Sequence, residues 1–156
     1  MKRIISIIAA TVLMAGCVTN PPNYVPTKTS LELQAIQSRE FETPKRIAFA
    51  STMSVFQDFG YSISASDLDT GYISAKSPTQ SKKGIGRYIM NDTKVTAFIE
   101  EMRPGITKVR INFIHTEEWK GLERSLVQDS PIEDPAVYNN AFIKIQEAIF
   151  IRTGTN

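Results

Sequence analysis

Apolar residues keep a helical spacing at two places in this chain and alternate in the stretch between them, and that change of period limits the folds open to it. Phe49, Met53, Phe56 and Phe59 fall three and four apart, with Val55 nearby. Thr43-Pro44 ahead of them reads as a cap followed by a proline in the first turn, and Gly60 behind them reads as a stop. The spacing predicts one helix over 44–59 that buries this stripe in a core. The pattern returns near the C-terminus. Asp134-Pro135 opens it, and Val137, Tyr138, Ala141, Phe142, Ile145, Ala148 and Ile149 mark one face through about Ile151. Ile143 and Phe150 lie off that face.

Between the two helices the period is two. Tyr61, Ile63 and Ala65 alternate with serines, Asp67-Leu68-Asp69-Thr70-Gly71 supplies a turn, and Tyr72 to Lys76 returns as a partner strand. A second hairpin follows. Val95, Ala97 and Ile99 alternate with Thr96, Phe98 and Glu100, Arg103-Pro104-Gly105 turns the chain, and Val109, Ile111 and Phe113 line one side of the return. Leu31, Leu33 and Ala35 alternate with Glu32 and Gln34, which suggests a strand, although a helix could use the same residues. Ser77 to Arg87 is polar and reads as a loop, and 117–133 has no clear period. These pieces predict an α+β fold with one antiparallel sheet of about four to five strands and two helices packed on one face. The other face carries Ser62, Ser64, Ser74, Lys76, Lys108 and Arg110, a semi-polar surface that can be solvated or can bind something.

The first residues stand apart from this domain. Met1-Lys2-Arg3 is basic, Ile4 to Ala15 is almost wholly apolar, and no further charge occurs before Lys28. A dozen apolar residues is short for a bilayer span, which needs about 20. A basic start, a short apolar core and small residues at its end read as an export signal over 1–16. The signal ends in Leu13-Met14-Ala15-Gly16-Cys17, which resembles the lipobox of bacterial lipoproteins. Met14 stands where leucine is usual. The resemblance implies cleavage after Gly16, a diacylglyceryl group on the Cys17 sulfur and a lipid-anchored mature chain. Two or three acyl chains at about 0.8 kcal/mol per buried methylene make a durable anchor. Val18 stands where an aspartate retains enteric lipoproteins at the inner membrane, so the resemblance implies the outer membrane, facing the periplasm. Residues 17–30 then read as the lipidated N-terminus and a proline-rich tether that reaches about 40 Å if extended. Residues 31–156 read as a single periplasmic domain.

The order helix, strand pair, strand pair, helix resembles the small domains of the C-lipoprotein of the outer-membrane β-barrel assembly machine. Phe59-Gly60-Tyr61-Ser62-Ile63, an acidic turn and Gly71-Tyr72-Ile73-Ser74-Ala75-Lys76 carry that resemblance. Gln57-Asp58-Phe59-Gly60 is similar to the helix end of uncharacterised bacterial lipoproteins. The assembly-machine protein has two such domains, and this chain has room for one.

Charge gives no argument for nucleic acid or an anionic surface as a partner, and no nucleic acid is expected. The chain has 18 Lys+Arg and 16 Asp+Glu, and removal of Lys2 and Arg3 with the signal leaves 16 against 16. The residues also point away from catalysis. His115 beside Glu117 and Glu118 could serve as a base or a metal ligand, but it is the only histidine, and a strand-end surface histidine is the better reading. No Gly-x-Ser-x-Gly elbow occurs. Asp67 and Asp69 sit in a turn too short for a calcium loop. No metal or cofactor is expected.

What remains is binding. Lys82-Lys83-Gly84-Ile85-Gly86-Arg87 could cradle a phosphate through backbone amides and the cations Lys82, Lys83 and Arg87. Trp119, the only tryptophan, could anchor a protein interface. The expectation is a non-catalytic, lipid-anchored interaction or scaffold module of an envelope or secretion assembly, tied to the membrane by its N-terminal lipid and bound to an envelope protein. The alternative is a small-ligand binder that holds a lipid or glycan fragment between sheet and helices.

Overall fold

A computed structural model describes residues 26–84, 87–121 and 124–154. The export signal expected over 1–16, Cys17 and most of the tether lie outside these residues. The elements run α1 (Ser30–Gln37), β1 (Ser38–Phe41), α2 (Lys45–Asp58), β2 (Ser62–Asp67), β3 (Tyr72–Lys76), β4 (Gln80–Gly84), β5 (Arg87–Arg103), β6 (Ile106–Gly121), β7 (Ser125–Pro131) and α3 (Pro135–Gly154). The class is α+β, with an antiparallel sheet. Among the described residues there are seven strands and three helices, against the four to five strands and two helices expected.

The difference arises in three segments. Leu31 to Ala35 is helical because Thr29 and Glu32 form a capping box. The Glu32 amide donates to Thr29 Oγ1 at 3.3 Å, and the Thr29 amide donates to Glu32 Oε2 at 2.7 Å. The polar 77–87 stretch is not a loop, since β4 pairs with the start of β5 from Gln80↔Asn91 to Gly84↔Arg87. Within 117–133, β7 pairs with the end of β6 from Ile114↔Pro131 to Lys120↔Ser125.

The centre of the fold is the long β5–β6 hairpin, whose register runs from Arg87↔Gly121 to Arg103↔Ile106. It has two halves. In the lower half the sheet order is β1-β6-β5-β3-β2. There Ile73 and Ala75 of β3, Val95, Ala97 and Ile99 of β5, and Val109, Ile111 and Phe113 of β6 all point to one face and are buried. Helices α2 and α3 cover that face with Ala48, Phe49, Val55, Phe56, Tyr138, Ala141, Phe142, Ile145 and Ile149. The stripes expected from helical spacing are thus core, although Met53 and Phe59 are only partly buried. Phe113 is the packing centre. Its ring meets Tyr138 edge-on at 5.4 Å, Phe56 at 6.4 Å and Tyr61 at 6.3 Å between centroids.

Pro44 occupies the cap position of α2 rather than its first turn, and Thr43 makes no capping bond. Gly60 ends the helix with φ +81°. Gly71 closes the β2–β3 turn at φ +77°.

In the upper half β4, β5, β6 and β7 lie side by side and continue past the ends of both helices. Among its described residues, none beyond Thr116 toward the tip is buried. The result is a four-stranded arm, open on both faces, projecting from a two-layer body.

Candidate functional site

Cross-strand pairing sorts the arm into rows. Nearest the tip, after the Gly84–Arg87–Gly121 row, stand Lys83, Tyr88, Lys120 and Ser125. Next come Lys82, Ile89, Trp119 and Leu126, then Ser81, Met90, Glu118 and Val127, then Gln80, Asn91, Glu117 and Gln128. Successive rows face opposite sides, because the side-chain period of a strand is two. Trp119, Ile89 and Leu126 therefore share the face that the helices cover lower down. Tyr88 and Lys83 share the other face, where the Lys83 ammonium stands 5.9 Å from the Tyr88 ring centroid.

Of the residues singled out for binding, Lys82, Lys83 and Trp119 come together on this arm. Lys82 and Trp119 lie in one row on either side of Ile89. The Arg87 backbone pairs with Gly84 and Gly121 at the tip. In its described part the phosphate cradle pictured for 82–87 is not a loop, because Lys82, Lys83 and Gly84 pair with Ile89, Tyr88 and Arg87 in the β4–β5 ladder. Tyr88 escaped the sequence reading. The signal available was the pair of glycines at 84 and 86 between two stretches of similar length, a hairpin-turn signature.

Acidic groups lie farther from the tip. Lys120 reaches back to Glu118 at 3.2 Å, and the Ser125 hydroxyl donates to the same carboxylate at 3.2 Å. Lower still, Asp92 pairs with Lys76 at 2.9 Å, and Asp129 accepts from the Thr116 hydroxyl at 2.7 Å. His115 lies in register between Thr93 and Ser130 and is half-buried. Among the described residues no cluster of three or more histidine, cysteine, aspartate or glutamate side chains could hold a metal. Asp67 receives the Asp69 amide and the Thr70 hydroxyl, both at 2.9 Å, and stays exposed at a hairpin tip. The Thr70 hydroxyl, with help from the Asp69 amide, holds its carboxyl below the usual aspartate range.

A second surface is the helix-free face of the lower sheet. Tyr72, Phe98, Arg110 and Ser38 form one row across β3, β5, β6 and β1. Tyr72 is 40% exposed and Phe98 47%, although both sit on interior strands. Glu100, Lys108 and Glu40 form a parallel row two residues away. Beside them Leu31, Gln34 and Ala35 of α1 wall a shallow groove with Ser38, Arg39, Lys108 and Arg110.

A third feature lies at the root of the arm, where α2 ends and α3 begins. Phe59, Tyr61, Phe113, Ala136, Val137 and Asn140 line a wide, mostly apolar depression of about 530 Å³. Burial here pushes the Tyr61 hydroxyl above the usual tyrosine range, and a hydrogen bond with Thr93 partly offsets it. Thr27 and Lys28 lie at this level. The Thr27 amide donates to Glu133 Oε2 at 3.0 Å, the Lys28 amide donates to the same oxygen at 3.2 Å, and the Thr27 hydroxyl also bonds it.

No family model and no curated protein matches this chain. Among solved structures it is similar to a DUF4468 family protein from Bacteroides ovatus, at 11% identity and a TM-score of 0.40, over 72% of this chain and 84% of that one.

Proposed function

We propose that the chain is a lipid-anchored, non-catalytic interaction module of an envelope or secretion assembly, held to the outer membrane through Cys17 and facing the periplasm. The lipobox-like Leu13-Met14-Ala15-Gly16-Cys17 supports the anchor. The observation that carries the interaction reading is the Tyr72–Phe98–Arg110 row. Two aromatic side chains exposed side by side on interior strands, next to a guanidinium, have the composition of an interface anchor. The partner is an envelope protein that covers the two rings and offers a carboxylate to Arg110.

The test places a photo-crosslinking residue at Thr96, beside this row, in cells that produce the full chain. A specific and reproducible adduct that disappears with Phe98→Ser supports the module. Recovery of the chain alone, or an adduct indifferent to Phe98, counts against it.

A second reading, a binder of a lipid or glycan fragment, draws on the apolar depression at the root of the arm. The space between sheet and helices is filled by Phe56, Phe113, Tyr138 and Phe142, so a ligand would lie at the rim and not within the core. Native mass spectrometry of the processed chain distinguishes the readings by a retained mass that Val137→Asp removes.

A further inference from the structure

We propose that the tip of the four-stranded arm docks on an anionic phospholipid surface and orients the domain on the membrane that holds its anchor. The proposal rests on the lipid anchor proposed above and goes beyond it by naming a second point of membrane contact.

Charge is segregated along the arm. Among the described residues, the two rows behind the tip carry Lys82, Lys83 and Lys120 and no carboxylate. The acids begin one row lower with Glu118, which pairs with Lys120 at 3.2 Å, and continue with Glu117, Asp92 and Asp129, so Lys82 and Lys83 carry most of the segregated charge. Between Gly121 and Ser125 the sequence has one acid, Glu123, and one base, Arg124, of opposite charge. Aromatic rings accompany the lysines. Trp119 stands on one face of the same two rows and Tyr88 on the other, with Leu126 beside Trp119 and Val127 exposed one row below. Tyrosine and tryptophan with lysine form the composition that settles at a headgroup boundary, where rings reach the acyl border and ammonium groups meet phosphates. A polybasic patch is the usual second signal that complements an acyl anchor.

The lengths of tether and arm are also compatible. Thr27 and Lys28 are tied to Glu133, and the Ile132 amide bonds the Phe113 carbonyl at 2.9 Å, so the chain leaves the domain at the root of the arm. Counted in sequence, only Cys17 to Pro26 precede this attachment, a reach of at most about 28 Å at ~3.1 Å per residue. This is shorter than the 40 Å expected when residues to Ser30 counted as spacer. The arm from Ile114 to Lys120 spans about 20 Å at ~3.3 Å per residue. A tether of this reach keeps the root within about 28 Å of lipid, and an arm of about 20 Å spans most of that gap.

Trp119 is the only tryptophan in the chain, so its fluorescence reports on the arm alone. The acylated chain is reconstituted into vesicles with brominated acyl chains, made either of phosphatidylcholine or of a phosphatidylglycerol-rich mixture. The proposal expects stronger Trp119 quenching in the anionic vesicles, lost at high salt and lost in Lys82→Glu/Lys83→Glu while that variant remains vesicle-bound through its anchor. Equal quenching in both vesicles, or full quenching in the double variant, overturns it. So does a double variant that loses a protein cross-link and leaves Trp119 quenching unchanged, which would assign the tip to a protein. Circular dichroism checks that the double variant folds, and Lys120→Glu with Tyr88→Ser serves as a second variant with the same expected loss. Intact mass of the wild-type chain reports separately on the anchor. A Cys17→Ser chain produced without residues 1–16 should still sediment with phosphatidylglycerol vesicles and not with phosphatidylcholine, with affinity at least about tenfold lower in the double-lysine variant. Failure to sediment overturns the arm proposal whatever the mass shows, and an unacylated wild-type chain overturns the anchor alone.

Discussion

Ile99 donates its amide to the Gly71 carbonyl at 2.8 Å, and a Cβ on Gly71 would lie 2.0 Å from the Ile99 carbonyl oxygen. The β2–β3 turn is thus seated directly on the backbone of the central hairpin. Gly71→Ala must adopt φ +77° and displace that contact. The left-handed conformation alone costs ~1–2 kcal/mol for an alanine, and the overlap adds to it. Chemical denaturation of the variant should show a loss well above that figure. Gly105→Ala, at the same φ of +77° with open space around its Cβ position, should show the conformational part only.

Phe113 joins body and arm. It is 2% exposed and touches Phe56, Tyr61 and Tyr138. Phe113→Ala should destabilise the fold by about 3–5 kcal/mol. Amide exchange should show β6 and the start of α3 losing protection together.

Glu32 gives a pH dependence of known sign. The Thr29 amide, and then the Thr29 hydroxyl, hold its carboxyl below the usual glutamate range. Folding therefore favours the carboxylate. The contribution to α1 is complete above the ordinary value of about 4.3 and disappears as pH falls through the lowered one. Exchange of the Thr29 and Glu32 amides should accelerate over that acid window, and Glu32→Gln should remove the step. A step at the same position in Glu32→Gln would contradict the capping box.

Phe98 and Tyr72 should separate binding from folding. Phe98→Ser on the helix-free face should change stability by about 1 kcal/mol or less. The same change should abolish cross-linking from Thr96. A large loss of stability, measured by denaturant midpoint, would make the ring a structural element of the sheet.

The sequence announced the parts of this fold that bury side chains. Val95, Ala97 and Ile99 alternate with Thr96, Phe98 and Glu100, and this alone places Phe98 on the side away from the helices. The helical stripes at 49–59 and 137–149 were equally plain, because a buried face imposes its period on the residues. The arm left no such trace. Gln80 to Gly84 contains no large apolar residue and is all exposed, and its place depends on main-chain pairing with β5, which side-chain periodicity does not record. Helix α1 buries no residue fully, so its apolar spacing is ambiguous, and only Thr29-x-x-Glu32 distinguishes it from a strand. Of the candidate site, Lys82, Lys83 and Trp119 were legible one by one. Their meeting in adjacent rows follows from the β4–β5 and β5–β6 registers, which no local pattern encodes.

The rims of the sheet carry a further consequence. Among the described residues the outermost strands are β1, β2, β4 and β7, and each is ill-suited to accept a stranger's backbone. β1 has four residues, β2 shifts register between Ile63 and Ala65, β4 presents Lys82 and Lys83, and β7 ends in Asp129 and Pro131. Short, kinked, charged or proline-closed borders resist stacking of one molecule's strands onto the next. Copies crowded into a plane would stay separate, and their broad faces, not their margins, would remain for recognition.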